Sequence, residues 1–215
     1  MAVAAQTDRF ILVMVPKFTA VEQYARVLDT EIPALADIDA ERLRSAEFGD
    51  EMEERLSWDA HESLYEQVIP KALRYSCIVA LMTAVDTALI AVCEELRRRG
   101  GIKLPVSALR GSDRRKATVY LKKIVGITPP SGWFGSRLPH LGAIRNCIVH
   151  QDGEVAATRN PEALQKHIQA MQGFSASTGV ITIAPGRCEE LAGKAVEWWF
   201  ELCQAAGFTR QRQTE

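Results

Sequence analysis

An arginine, an asparagine and a histidine at the end of one expected helix are the side chains best suited to chemistry in this sequence. They are Arg145, Asn146 and His150, and the turn-forming run 151–153 follows them directly. On an α-helix with 100° per residue, Asn146 and His150 share a face, whereas Arg145 lies about 140° around from His150. A guanidinium and an imidazole splayed across an exposed helix end suit a phosphate-bearing ligand, particularly where two such helices face each other.

These residue types match the demands of RNA cleavage without a metal ion. The 2′-hydroxyl must lose a proton, the leaving 5′-oxygen must gain one, and the phosphate oxygens need a positive partner. His150 suits the proton transfers, Arg145 suits the phosphate, and Asn146 can orient the histidine or bond the phosphate. One histidine hardly supplies both acid and base, so we expect a two-fold homodimer with its two motifs facing across a groove. DNA, which lacks the 2′-hydroxyl, should not be cut.

The alternative is a structural role for the same residues. Arg145 could bond a carboxylate such as Asp152 or Glu154 while His150 caps the helix carbonyls. Arg145 and His150 have four residues between them, and a similar spacing, Arg-x(5)-His, occurs from Arg55 to His61. We interpret this second occurrence as a chance match on an acidic surface helix. Asn146, one of two asparagines in the chain, distinguishes the later match.

The Arg-Asn-x-x-x-His sequence and the elements around it resemble the HEPN superfamily. The likeness covers roughly residues 55–206: an apolar helix, a basic helix, a tryptophan-containing loop, the motif helix ending in Asp-Gly, and a closing aromatic-rich helix. It implies an all-α helical bundle and a metal-independent endoribonuclease, built where two protomers meet. The family is associated with bacterial toxin–antitoxin and phage-defence systems, so the implied partners are RNA, a second copy, and an antitoxin or other defence protein.

The resemblance also leaves a second function open. Some family members are non-catalytic, so the alternative is an RNA-binding or protein-interaction module in a larger defence assembly. Catalytic relatives often carry an acidic residue on the equivalent of the apolar helix, which adds Asp86 to the candidate catalytic residues. A lone carboxylate in an apolar helix needs a partner, either Arg145 or another basic side chain.

Charge is unevenly distributed, although the net charge is only −1. Residues 29–66 hold thirteen acids against three arginines, and residues 97–123 hold ten basic residues against one acid. The basic segment is an RNA-track candidate or else a solvated helix face. The acidic one could cover that track, bind a basic partner, or simply be a soluble helix face. The candidate RNA-binding residues are Arg114, Arg115, Lys116, Lys122 and Lys123.

No cofactor or metal site is expected. His61 has carboxylates nearby, but no second histidine is close in sequence. His140 and His167 are interpreted as surface or packing residues, and Cys147 as a packed thiol. Five widely spaced cysteines and the lack of a signal-peptide pattern lead us to expect a cytoplasmic protein. The apolar run 75–93 contains one charge near its centre, which costs about 3 kcal/mol on insertion scales, so a buried core helix is expected rather than a membrane span.

The elements that must position the site are mostly helices. We expect an all-α protein with at most a short strand near 180–183, divided into an N-terminal helical extension (1–50) and a HEPN-like helical domain (51–208). The expected helices are one or two over 8–45, broken near Pro16 and Pro33, then 49–66, 71–99 after a kink or restart at Pro70, 114–125, the motif helix, 161–172 and 187–206.

Overall fold

The computed structural model describes residues 9–208, and it is an all-α protein with one minor sheet. About 74% of the chain is helical. The short strand expected near 180–183 is confirmed, because Thr182–Ile183 (β2) pairs antiparallel with Phe174–Ser175 (β1). The α-helices are Arg9–Arg44 (α1), Glu51–Ser63 (α2), Ile69–Gly100 (α3), Asp113–Tyr120 (α4), Trp133–Gln151 (α5), Pro161–Gln169 (α6) and Arg187–Ala205 (α7).

The expected break in the first helix is wrong. Helix α1 runs without interruption through Pro16 and Pro33. Both prolines are exposed, so water can solvate the carbonyls that lose a donor. A buried apolar stripe that includes Phe18, Ala25 and Ile32 keeps helical spacing along the same element. Burial of that stripe offsets the lost hydrogen bonds.

Pro70 alters the helix locally, as its sequence position predicts. A π-helical turn, Leu64–Val68, lies between α2 and α3, and the backbone N–H of Ile69 donates to the carbonyl of Leu64. Proline has no N–H for the carbonyl four residues before it and crowds that carbonyl. The wider turn accommodates this crowding without ending the helix.

The chain divides into two compact units, each built from separate segments. Of the described residues, unit 1 contains 9–21, 80–142 and 191–208. Its described part centres on Trp198 and Trp199, which are almost fully buried. Trp199 stacks on Phe18 at 5.6 Å between ring centroids, and the indole N–H of Trp198 donates to the carbonyl of Pro130 at 3.1 Å. These two rings fix the packing of α7 within unit 1.

Unit 2 contains residues 22–79 and 143–190, and a partly buried ion pair lies in it. The guanidinium of Arg74 contacts Asp29 at 2.7 Å and also donates to the carbonyl of Ile183 at 3.2 Å. The second oxygen of Asp29 accepts from the backbone N–H of Gly186 at 2.6 Å. The pair therefore attaches helices α1 and α3 to the small sheet, and it gives the carbonyl of Ile183 and the N–H of Gly186 hydrogen-bond partners. The expected division at residue 50 stays a prediction.

The helical stretch 51–100 is long and apolar enough to cross a membrane by length and composition alone. In its most apolar window of 18 residues, 56% of the residues are buried inside the protein. Ile78, Leu81, Met82 and Val85 are fully buried. Core helices pass the same length and composition test, so cytoplasmic localisation stays a prediction.

Candidate functional site

The end of the motif helix α5 is held by a tight chain reversal. Asp152 and Gly153 both have positive φ, at 48° and 81°. A Cβ on Gly153 would collide with the hydroxyl of Tyr75, so the backbone must approach that ring closely here. The N–H of Gly153 donates to the carbonyl of Cys147 at 3.3 Å. The turn leaves His150 in the last helical turn, facing solvent.

Two side chains from α3 fix this reversal within unit 2. Lys71 binds the carboxylate of Asp152 at 2.6 Å, and the hydroxyl of Tyr75 donates to the carbonyl of Ile181 at 2.5 Å. Burial, together with the nearby charge of Asp152, raises the pKa of Tyr75 above its usual value. Tyr75 is therefore a neutral donor at physiological pH, and it holds the segment after His150 against the strand region.

A groove of about 310 Å³ lies beside the last turn of α5, within unit 2. Asn146 and His150 both line it, as expected for residues one turn apart on a helix. Both side chains are exposed. Of the described residues that line this groove, none is an aspartate or glutamate. The remaining lining residues are Ala143, Cys147, Gln151, Thr158, Arg159, Asn160, Ala163, Leu164 and His167.

Arg145 lies next to this groove in sequence but does not line it. The side chain is half-buried, and its Nη1 donates to the side-chain oxygen of Asn146 at 3.2 Å. Within residues 9–208, Arg145 makes no ion pair and the His150 side chain makes no hydrogen bond. The structural alternative named Asp152 as a partner for Arg145, but Lys71 binds that carboxylate instead. Arg145 and His150 therefore keep hydrogen-bonding groups that a ligand could use.

No family model, curated protein or solved structure matches this chain. What the groove binds must therefore be inferred from its own side chains. Amide groups, imidazoles and a guanidinium, with no carboxylate among the lining residues, favour an anionic ligand that accepts hydrogen bonds. Leu164 and the buried Cys147 give the groove an apolar side suited to a flat ring.

Asp86 has a basic partner, but that partner is Arg114 and not Arg145. The carboxylate accepts two hydrogen bonds from the guanidinium, at 2.9 and 3.1 Å, within unit 1. Arg114 also donates to the carbonyl of Leu138 at 3.0 Å, on helix α5. A Cβ on Gly142 would collide with this guanidinium, so α5 carries glycine where Arg114 crosses it. The pair links three helices, and all three guanidinium nitrogens of Arg114 donate to protein oxygens.

The other predicted RNA-binding residues divide into paired and unpaired cations. Lys116 bonds Asp113 at 3.2 Å, one turn before it on α4. Arg115, Lys122 and Lys123 are exposed, and no described carboxylate pairs with them. Of the five predicted cations, these three have the charge most available to a phosphate.

His61, the histidine of the Arg55–His61 match, is held by packing and by a carboxylate. Its Nδ1 lies 3.1 Å from a carboxylate oxygen of Asp39, and its ring contacts Trp58 and Tyr65. A second groove, near the start of α2, is lined by Asp50 together with other acids and would repel phosphate. No cluster of three or more potential metal ligands occurs among the residues described.

Cys147 lies inside the motif but is nearly fully buried. Burial, with the nearby charge of Glu154, raises the pKa of its thiol. Its sulfur donates to the carbonyl of Glu154 at 3.6 Å. A neutral, packed thiol is a poor nucleophile, which agrees with interpreting Cys147 as a packing residue.

Sequence reasoning missed two groove residues, Arg159 and His167. Arg159 lies in the loop after the motif helix, with no periodicity to mark it. His167 is three residues after the buried Leu164 and next to the buried Ile168, so it lies at the edge of the packed face of α6. From the sequence, His167 was interpreted only as a surface or packing residue, because helical spacing does not identify the element that it faces.

Proposed function

We propose that this protein is a metal-independent endoribonuclease whose site contains Arg145, Asn146 and His150. The observation that carries the proposal is the exposed imidazole of His150 on a groove whose lining includes no carboxylate among the described residues. RNA is the substrate class, because the chemistry uses the adjacent 2′-hydroxyl as its nucleophile. The HEPN-like motif supports a role in bacterial defence or toxin–antitoxin control.

The reaction needs two proton transfers and a positive group at phosphorus. A neutral imidazole removes the 2′-hydroxyl proton, the 2′-oxygen attacks phosphorus, and the P–O5′ bond breaks. A protonated imidazole donates to the 5′-oxygen, leaving a 2′,3′-cyclic phosphate and a 5′-hydroxyl. Arg145 neutralises charge on the phosphate oxygens, and Asn146, which accepts a hydrogen bond from Arg145, positions that guanidinium.

A homodimer completes this proposal, with the two motifs facing across a shared groove. Val149 supports such an interface, because this apolar side chain between the motif residues is 44% exposed. An antitoxin or another defence protein would then restrain the enzyme by covering the same surface.

A second function, RNA binding without cleavage, is favoured by a different observation. Arg115, Lys122 and Lys123 are exposed cations without a described carboxylate partner. They could hold RNA through its phosphates whether or not His150 is catalytic. Such a protein would bind RNA in a salt-dependent way and leave it intact.

The test incubates RNA and a matched DNA with the purified full chain in excess chelator. Cleavage to 2′,3′-cyclic phosphate ends, on RNA only, is expected. It should be lost in Arg145→Ala and His150→Ala proteins that remain folded. The controls are Arg55→Ala and His140→Ala, which change the same residue types at positions that do not line the groove. Binding with no cleavage by the wild-type protein would favour the second function, and equal loss in the control variants would contradict the assignment of the site.

A further inference from the structure

The proposed reaction needs two imidazoles, and the groove beside α5 holds two from one chain. His150 comes from the last turn of α5, and His167 comes from α6. They are two of only four histidines in the protein. His167 is half-buried, so it is positioned by packing and still reaches the groove.

Arg159 adds a guanidinium to the same groove. It is exposed, and no carboxylate in the stretch 9–208 pairs with it. An arginine with free donors on a groove without acidic lining residues suits a phosphate group. Arg145, in contrast, does not line this groove and bonds Asn146.

The remaining lining residues suit the rest of a nucleotide. Leu164 and Ala143 are apolar, while Gln151 and Thr158 carry hydrogen-bonding side chains. A volume of about 310 Å³ falls at the lower end of small-molecule sites and can accept one nucleotide. Asn160 is already committed, because its side chain caps α6 by accepting from the N–H of Ala163 at 3.0 Å.

We propose that this groove binds one ribonucleotide linkage, with Arg159 on its phosphate and with His150 and His167 as its acid–base pair. This inference rests on the proposed ribonuclease function, but it changes the source of the second imidazole and adds Arg159 to Arg145 as a phosphate-binding residue. One histidine, neutral, accepts the 2′-hydroxyl proton, and the other, protonated, donates to the 5′-oxygen as the P–O5′ bond breaks. The two histidines end with their protonation states exchanged. Each protomer can then complete the chemistry, and dimerisation would serve RNA binding or regulation.

Other charged or titratable groups lie near His150 and His167, and each can affect the pH dependence of cleavage. Cys147 and Arg159 line the groove itself. Along the two helices the flanking charges are Arg145 on α5, and Glu162 and Lys166 on α6. Lys166 precedes His167 directly but is exposed and outside the groove lining, which makes it a matched control.

The first experiment follows single-turnover cleavage of a short RNA in chelator across pH. The proteins are wild type, His167→Asn, and Lys166→Gln as the control. His167→Asn should slow cleavage about 100-fold or more and remove one limb of the pH–rate profile, whereas Lys166→Gln should keep both limbs. Imidazole added to His167→Ala should restore part of the rate. If folded His167→Asn cleaves at the wild-type rate with both limbs, the inference is overturned while the proposed function stands.

The second experiment does not depend on cleavage. Uridine 3′-monophosphate is titrated into the full chain carrying ¹⁵N-labelled histidine. The ring resonances of His150 and His167 should move together, those of His61 should not, and Arg159→Gln should weaken binding about tenfold. Movement of His150 without His167 overturns the inference. RNA left intact by the wild-type protein refutes the proposed function and the acid–base roles, and the titration still decides whether a nucleotide binds in this groove.

Discussion

Arg114 holds Asp86 through both carboxylate oxygens and holds the carbonyl of Leu138 with a third donor. A carboxylate in the most apolar helix is thereby satisfied by a cation from the basic segment. Both residues carried predicted functional roles in sequence, catalysis for Asp86 and RNA binding for Arg114. Their mutual contact gives each a packing role within unit 1.

The first prediction concerns this pair. Asp86→Ala should lower the free energy of unfolding by about 1–3 kcal/mol, because Arg114 is left half-buried without its partner. The double variant Asp86→Leu with Arg114→Met should recover part of that loss. Chemical denaturation measures both. RNA cleavage, assayed well below the melting temperature, should be retained in Asp86→Asn. A folded Asp86→Asn protein without activity would instead support a catalytic Asp86.

The second prediction concerns the turn that follows His150. Gly153→Ala should destabilise the protein more than Gly179→Ala, although both glycines have φ near 80°. In both variants, placing alanine in the left-handed backbone region costs about 1 kcal/mol of unfolding free energy. Only the Cβ on Gly153 meets the hydroxyl of Tyr75, whereas that on Gly179 meets open space. Melting temperatures compare the two, and equal shifts would argue against the close approach.

The third prediction concerns the thiol inside the motif. Because burial and Glu154 raise the pKa of Cys147, the thiol should stay neutral at pH 7 and react with iodoacetamide far more slowly than in urea-unfolded protein. Its alkylation should accelerate only at higher pH. Cys147→Ala should keep cleavage within about tenfold of wild type, provided that it folds. Rapid labelling at pH 7 that abolishes cleavage would contradict a passive role.

The fourth prediction concerns stability against pH. The hydrogen bond from Arg98 lowers the pKa of Glu95, burial opposes this, and a further bond from Arg99 lowers it again. A lowered pKa in the folded state gives stability that is present above the unfolded value and is lost as pH falls through the folded value. Glu95→Gln should therefore cost at most about 1 kcal/mol at pH 7, and nothing at a pH below the folded pKa.

The exposed Glu41–Arg44 pair supplies the control for that measurement. Glu41→Gln should change the unfolding free energy by an amount too small to resolve at either pH, because both partners are well solvated. Added salt should also reduce the loss of unfolding free energy caused by Glu95→Gln at pH 7, because it screens the ion pairs. A Glu95→Gln difference that persists at low pH would show that side-chain packing, and not charge, is responsible.

The fifth prediction concerns the exposed cations of the basic segment. Replacing Lys122 and Lys123 by glutamate should weaken RNA binding and flatten the dependence of log K on log salt concentration. The slope should fall by about 0.7 for each lost phosphate contact on single-stranded RNA. Lys17→Glu, an exposed cation on α1 outside the basic segment, is the matched control. An unchanged slope in the double variant would remove this segment from RNA binding.

Local spacing in the sequence determined most of the helices, the strand near Ile183, and the shared face of Asn146 and His150. These features follow from interactions between residues a few positions apart, which the chain order specifies directly. Local spacing did not predict that α1 continues through Pro16. Tertiary packing determines it, because burial of an apolar stripe outweighs the local tendency of proline to break the helix.

Only the tertiary structure decided which charged and titratable groups meet. Arg114 and Asp86 are 28 positions apart, and His167 lies 17 positions after His150 in another helix. The sequence around each of these residues is compatible with several different side-chain partners. Helix packing selects one of them, because burying the apolar faces fixes the rotation and separation of the helices that carry the polar groups.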